Sequence, residues 1–253
     1  MRTRSRKRGL FESSNPYLRE DTFMQQNGSS YAVTDDDQMT VSGAVNKTFL
    51  LGMIMMAAAA VSFTFTSPIL TFGGAIGGLI VVIIASRNME KSSMYAPIYG
   101  VLEGLFVGGV TAIYATAYEG IILQAVTLTF AVFFAMLAIY KSGLIKVTKS
   151  FRTGIVMATG GIAIFYIIAM VLGFFGIHMP FLHEASPLGL MISLGILGIA
   201  ALNLLLDFDT FEKGEEYGAP KYMEWFAAMG LLITLVWIYV EILRILAIFM
   251  NRD

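Results

Sequence analysis

Long apolar stretches alternate with short polar connections along most of the chain. Seven stretches are long enough to cross about 30 Å of hydrocarbon as helices. They span residues 48–66, 69–86, 94–117, 121–140, 152–176, 188–206 and 225–249. Pro68, Gly120 and Pro187 stand where helices follow tight connections. The pattern predicts an all-α integral membrane protein, with a bundle of seven transmembrane helices over residues 47–253.

Composition argues against a soluble helical bundle. Hydrophobic residues make up 57% of the 253 residues, charged residues 14%, and the mean hydropathy is +0.72. A soluble domain carries about 25% charged residues. The connections are too short to build a polar surface, so a soluble bundle would expose large apolar patches. Cysteine is absent, which excludes disulfides, thiolate metal sites and cysteine nucleophiles.

The first 46 residues differ from the rest of the chain. They begin with a basic cluster, include the acidic run Asp35–Asp37 and contain no long apolar stretch. This composition predicts a disordered tail. A cleaved signal peptide would need an apolar stretch directly after the basic cluster, and the first such stretch begins only near Thr48.

The distribution of lysine and arginine predicts the orientation in the membrane. Seven lie in the tail through Lys47, two in the second connection, four in the fourth and two in the sixth. Only Arg244 and Arg252 lie at the other side, so 15 of the 17 basic residues share one side. By the positive-inside rule that side is cytoplasmic. The N-terminus is therefore expected inside and the C-terminus outside.

Glycines recur at four-residue spacing in two of the predicted helices. The repeats are Gly73/Gly77 and Gly74/Gly78 in helix 2, and Gly100/Gly104/Gly108 in helix 3. Such stripes let helix backbones approach closely within a membrane. Two interpretations are open, namely packing within the bundle and dimerisation, and packing is the commoner use of such stripes.

Several ionisable residues lie within or at the ends of the predicted spans, where each charge costs at least about 3 kcal/mol. Glu103 lies near the middle of helix 3, has no cation close to it in that helix, and should be protonated or face a cavity or another polar group. Glu241 lies well down helix 7, three residues before Arg244. This spacing allows an i,i+3 ion pair, which is the structural alternative to a functional carboxylate.

Asp207 and Asp209 are predicted to end helix 6 at the cytoplasmic boundary. They could be a solvated helix end that continues into the acidic loop. Because the helix dipole favours cations at a C-terminus, they could instead bind a metal cation or a basic side chain such as Arg87. Carboxyls that are buried or share a site can change charge near physiological pH, and their oxygens can ligate Ca²⁺. The residues thus suggest a cation pathway or a proton-sensitive switch lined by Glu103, Asp207, Asp209 and Glu241.

No enzymatic site is predicted. The two histidines, His178 and His183, lie in an outer connection, where no serine–histidine pair forms within the bundle. Helix 7 has no aspartate for an aspartyl protease and no lysine for a retinal Schiff base. We expect neither catalysis nor a tightly bound cofactor.

Three short motifs occur in order on the seven-helix frame. They are Tyr95-Ala-Pro-Ile-Tyr99-Gly-Val-Leu-Glu103-Gly104, Leu206-Asp-Phe-Asp-Thr210 and Trp237-Ile-Tyr-Val-Glu241-Ile-Leu-Arg244-Ile-Leu. The chain resembles the transmembrane Bax inhibitor motif family in its bacterial YccA-like branch, and the resemblance covers residues 47–249. It implies a pH-dependent calcium leak in the plasma membrane of a bacterium, controlled by a di-aspartyl sensor between helices 6 and 7.

The resemblance also assigns roles to residues of this chain. Asp209 matches the first sensor aspartate, and Arg87, or Lys91 in a shifted register, matches a basic latch residue. Thr234 stands where the family has its second aspartate, so the second carboxyl is either Asp207 or Glu241. Asp209 and Glu241 are the candidate Ca²⁺ ligands.

The expected partners are therefore the lipid bilayer, Ca²⁺ and protons, and no nucleic acid. The alternative function is a regulatory membrane protein that binds a partner such as a membrane protease, with the tail as the contact element.

Overall fold

The computed structural model describes residues 37–175 and 187–251, and within them the chain is helical with no strand. Seven helices are long and apolar enough to cross a membrane. They are α1 (Val41–Thr64), α2 (Pro68–Arg87), α3 (Ser92–Ala117), α4 (Ile121–Ser142), α5 (Lys149–Phe174), α6 (Pro187–Glu216) and α7 (Met223–Met250). A short 3₁₀ turn, Met89–Lys91, precedes α3. The fold class predicted from the apolar pattern is confirmed.

Two helices extend well beyond their apolar stretches. α1 begins at Val41 rather than at residue 48, because Thr40 caps it by accepting a hydrogen bond from the backbone of Gly43 at 2.9 Å. Residues 41–46, assigned above to the tail, are therefore helical. The predicted end of α6 at residue 206 is wrong by ten residues. Phe208 and Phe211 continue its buried face, and the helix stops only before Gly218, which adopts a positive φ of 61°.

The glycine stripes pack α2 and α1 against α3. A Cβ on Gly104 or Gly108 would overlap the carbonyl oxygens of Met55 and Ala59 in α1, and a Cβ on Gly74 would lie 2.5 Å from the carbonyl oxygen of Leu102. Gly73, by contrast, has open space beside it. The stripes therefore serve packing within the bundle, as the commoner of the two interpretations proposes.

The seven helices differ in how deeply they are buried. α7 has the largest buried share of the seven spans and packs against α1, α3, α4 and α6. α5 has the smallest buried share and packs mainly on α6. The bundle is thus built around α7, with α5 at its periphery.

Candidate functional site

Asp209 lies within α6 and binds two basic side chains. Its Oδ2 atom lies 2.5 Å from Nη2 of Arg152 at the start of α5 and 2.8 Å from Nζ of Lys213, one turn further along α6. Asp209 is buried, whereas Arg152 and Lys213 are each more than a third exposed. The carboxylate therefore binds two basic side chains and joins α5 to α6. This contact lies at the end of the bundle that the charge pattern predicts to be cytoplasmic.

Asp207 faces α7 instead. It lies beside Thr234, and its Oδ1 atom would be 3.9 Å from a Cβ on Gly230. The Thr234 hydroxyl donates to the carbonyl of Gly230 at 3.3 Å. The Oδ2 atom of Asp207 is buried and has no hydrogen-bond partner, which is an unfavourable state for a carboxyl oxygen.

The two aspartates thus point to different neighbours. Residues two apart in an α-helix are about 200° apart around its axis, which places Asp207 on the side of α7 and Asp209 on the side of α5. The expectation that both end the helix is wrong, because α6 continues to Glu216. Arg152, which binds Asp209, also acts electrostatically on Asp207, so the two aspartates share one basic side chain.

The site and the bundle around it match a known family. The sequence profile described as Bax inhibitor 1 like matches residues 15–251. The chain belongs to the Bax inhibitor 1-like family. A comparison with curated proteins gives no match.

In this Bax inhibitor 1-like protein, Glu103 lies between α3 and α2. It hydrogen bonds to Tyr99, one turn earlier in α3. Its Oε2 atom would lie 3.0 Å from a Cβ on Gly78 of α2, so the glycine provides the room for the carboxyl. Glu103 therefore faces another polar group, which is one of the environments expected for it.

Glu241 forms a separate polar cluster with Arg244 and Tyr166. Its Oε1 atom lies 3.6 Å from Nη1 of Arg244, which is the i,i+3 ion pair that the spacing allows. Tyr166 of α5 accepts a hydrogen bond from Nη1 of Arg244 at 2.6 Å and donates one to Oε2 of Glu241 at 3.3 Å. Glu241 is only 3% exposed.

The two latch candidates do not pair with the carboxylates described above. Arg87 and Lys91 are exposed where α2 turns into α3, and neither belongs to the ion pairs found among the described residues. Asp209 is bound by Arg152 and Lys213 instead.

The two candidate Ca²⁺ ligands, Asp209 and Glu241, have different partners. The described part of the chain contains no group of three metal-ligating side chains. His178 and His183 lie outside the described residues.

Glu224, at the start of α7, is a site residue that the sequence reasoning missed. Its side chain is almost fully buried, and its Oε1 atom accepts hydrogen bonds from the backbone N–H and the hydroxyl of Thr40, both at 3.1 Å. Glu215 accepts from the backbone N–H of Val41 at 3.2 Å. Two carboxylates from the α6–α7 turn thus bind the N-terminus of α1, where the helix dipole favours negative charge.

Backbone contacts extend this connection. The N–H of Met39 donates to the carbonyl of Ala219 at 2.7 Å, and Gln38 pairs with Pro220. Met39 is buried against Gly214. We name the contact of residues 38–41 with residues 214–224 the N-terminal clasp. The signal available in the sequence was an acidic residue directly before an apolar run, but its partner is distant in the chain.

Proposed function

We propose that this Bax inhibitor 1-like protein is a calcium leak channel in the plasma membrane of a bacterium, gated by protonation of carboxylates at the α6–α7 end. The observation that carries the proposal is the pair of aspartates on opposite sides of α6. Asp209 forms ion pairs with two basic side chains, whereas Asp207 is buried and its Oδ2 atom has no hydrogen-bond partner. Charges in a membrane protein commonly mark ion pathways.

The gating step follows from the burial of Asp207 beside the Arg152–Asp209 ion pair. Arg152 attracts both aspartates, since it binds Asp209 and also acts electrostatically on Asp207. A proton on the buried Asp207 removes its share of that attraction, and the contact between the start of α5 and α6 weakens. Acidification is therefore expected to open this end of the bundle.

Calcium is the cargo of this proposal and not a resident cofactor. Carboxylate and carbonyl oxygens are the ligands that Ca²⁺ prefers. Conduction requires binding weak enough for the ion to leave, and carboxylates with different partners, such as Asp209 and Glu241, suit that requirement better than a closed cage.

Purified protein in liposomes loaded with a calcium-sensitive dye tests the proposal. We expect Ca²⁺ entry above that of protein-free liposomes, and entry that rises as the pH falls between about 8 and about 5, where perturbed carboxyls change charge. Entry equal to that of protein-free liposomes at every pH would refute the channel proposal.

The N-terminal clasp favours a second candidate function, a regulator that acts by binding a partner protein such as a membrane protease. The clasp ties the residues directly before α1 to the α6–α7 turn. A partner that pulls on this segment would act on the same end of the bundle as Asp209. Deletion of residues 1–36 leaves the clasp residues in place and should abolish partner binding while leaving Ca²⁺ entry unchanged. Loss of both together would argue against a separate regulatory role.

A further inference from the structure

One face of the peripheral helix α5 carries polar side chains at regular intervals. Arg152, Thr159 and Tyr166 are seven residues apart. Seven residues make nearly two full turns, so the three side chains lie on one face and span about 21 Å along the helix. That length is a large part of the roughly 30 Å hydrocarbon layer.

Each of the three has a polar partner on the central helices. Arg152 pairs with Asp209, and Tyr166 binds Arg244 and Glu241 as described above.

The third contact lies between these two along α5. The amide nitrogen of Asn203 in α6 donates to the hydroxyl of Thr159 at 2.8 Å. We name these three contacts the α5 seam. The seam joins α5 to α6 and α7 through polar atoms at three positions.

The other side of α5 is apolar and faces outward. Met157 is 71% exposed, Ile164 60% and Ile168 49%. In a membrane protein these side chains face lipid. α5 therefore has a lipid side and a polar side.

The seam contains buried polar atoms without a hydrogen bond. They are the Nε and Nη2 atoms of Arg244, and the Oε1 atom of Glu241, whose contact with Arg244 at 3.6 Å is an ion pair and too long for a hydrogen bond. An unpartnered polar atom in an apolar environment is strongly unfavourable, and more so if it is charged. Bound water typically makes two to four hydrogen bonds to such groups, and these three atoms beside Tyr166 offer that number.

We propose that the α5 seam is a water-filled path that binds water and hydrated cations between α5 and the central helices. Its polar steps follow each other from Asp209 through Thr159 to Glu241. In the channel proposed above, the seam is the route of the ion, and this role rests on that proposal. The presence of water in the seam is independent of the channel proposal.

Thiol labelling tests the path directly, because the chain has no cysteine of its own. The seam variant is Thr159→Cys, and its matched control is Met157→Cys, two residues away on the lipid side of α5. The probe is a permanently charged methanethiosulfonate applied to protein in liposomes. Only the thiolate reacts, and a thiol in lipid stays protonated, so we expect Thr159→Cys to react at least about tenfold faster. This order is the reverse of the exposed fractions in the bare protein, where Met157 is the more exposed.

A Thr159→Cys rate no higher than that of Met157→Cys overturns the proposal. If Thr159→Cys fails to fold, hydroxyl-radical labelling of the unsubstituted protein replaces it, with Tyr166 compared with Tyr239, whose hydroxyl is satisfied by Thr111 at 2.9 Å. Faster labelling of Tyr166 supports a hydrated seam, and equal labelling overturns it. Labelling of the seam in a protein that passes no Ca²⁺ refutes the channel alone, whereas Ca²⁺ entry without labelling refutes the seam alone.

Discussion

Arg152 Nη2 lies 2.5 Å from Asp209 Oδ2, and this ion pair joins the start of the peripheral helix α5 to α6. Asp209 is 10% exposed at its side chain and Arg152 is 38% exposed. The contact is therefore accessible from the end of the bundle that the charge pattern predicts to be cytoplasmic. A proton or a cation from that side can reach it.

The first prediction concerns the strength of this pair. A double-mutant cycle with Arg152→Ala and Asp209→Ala should give a coupling energy of about 1 kcal/mol, since a partly exposed ion pair is weakened by solvent. The measurement is unfolding in mixed detergent micelles. The control cycle pairs Arg152→Ala with Glu216→Ala, because Glu216 is exposed and makes no ion pair among the described residues. Coupling indistinguishable from zero for Arg152 and Asp209 would contradict the geometry.

The second prediction concerns the N-terminal clasp. Glu224→Ala removes the acceptor for two hydrogen bonds from Thr40 and should lower the free energy of unfolding by about 1–3 kcal/mol. Hydrogen exchange should also rise at the first turn of α1. Glu216→Ala, a nearby exposed acid, is the control and should change neither. Unchanged exchange at residues 40–43 in Glu224→Ala would mean that the clasp does not hold the helix.

A third prediction separates the glycines that pack from those that do not. Gly104→Ala forces a methyl group against the carbonyl of Met55, whereas Gly73→Ala meets open space. Overpacking of this kind costs about 1–3 kcal/mol, so Gly104→Ala should unfold more readily. Gly73→Ala should be as stable as the unsubstituted protein. Equal stability of the two variants would refute close packing of α1 on α3.

The fourth prediction concerns the ion pair deeper in α7. Arg244→Met leaves Glu241 buried without its cation, which should destabilise the protein by about 3–5 kcal/mol. Adding Glu241→Met removes the stranded charge and should recover most of that loss. The single variant should also regain stability as the pH falls, because a protonated Glu241 carries no charge. Stability of Arg244→Met that is independent of pH and equal to that of the double variant would show that Glu241 is not charged in the bundle.

The apolar pattern was sufficient to predict the seven helices, because a membrane span must satisfy its backbone internally and be long enough to cross the lipid. The ends of the helices depend instead on contacts with other parts of the bundle and on residues that stop a helix. α6 runs past the apolar stretch because Phe208 and Phe211 remain buried and no residue stops the helix before Gly218. α1 starts early because distant carboxylates bind its first turn.

The candidate site was predicted only in part. Glu241 and Arg244 are close in sequence, so their pairing could be read from helical spacing. Asp209 pairs with Arg152, 57 residues away, and no local pattern distinguishes Arg152 from the other bases of the same side. The latch role of Arg87 and Lys91 stays a prediction. The regular spacing of Arg152, Thr159 and Tyr166 was visible in the sequence, but its meaning depends on which helices face α5.

Calcium entry into liposomes as a function of pH, compared between the unsubstituted protein and Asp209→Asn, tests the central claim most directly. The asparagine keeps the size of the side chain and removes the charge that binds Arg152 and Lys213. Entry through the unsubstituted protein should rise as the pH falls from about 8 to about 5. Entry through Asp209→Asn should stay at one level, because Arg152 has lost its ion pair to α6 at every pH. Glu216→Gln should behave as the unsubstituted protein does. An Asp209→Asn profile that follows the unsubstituted protein at every pH would contradict gating through the contact of Arg152 with Asp209.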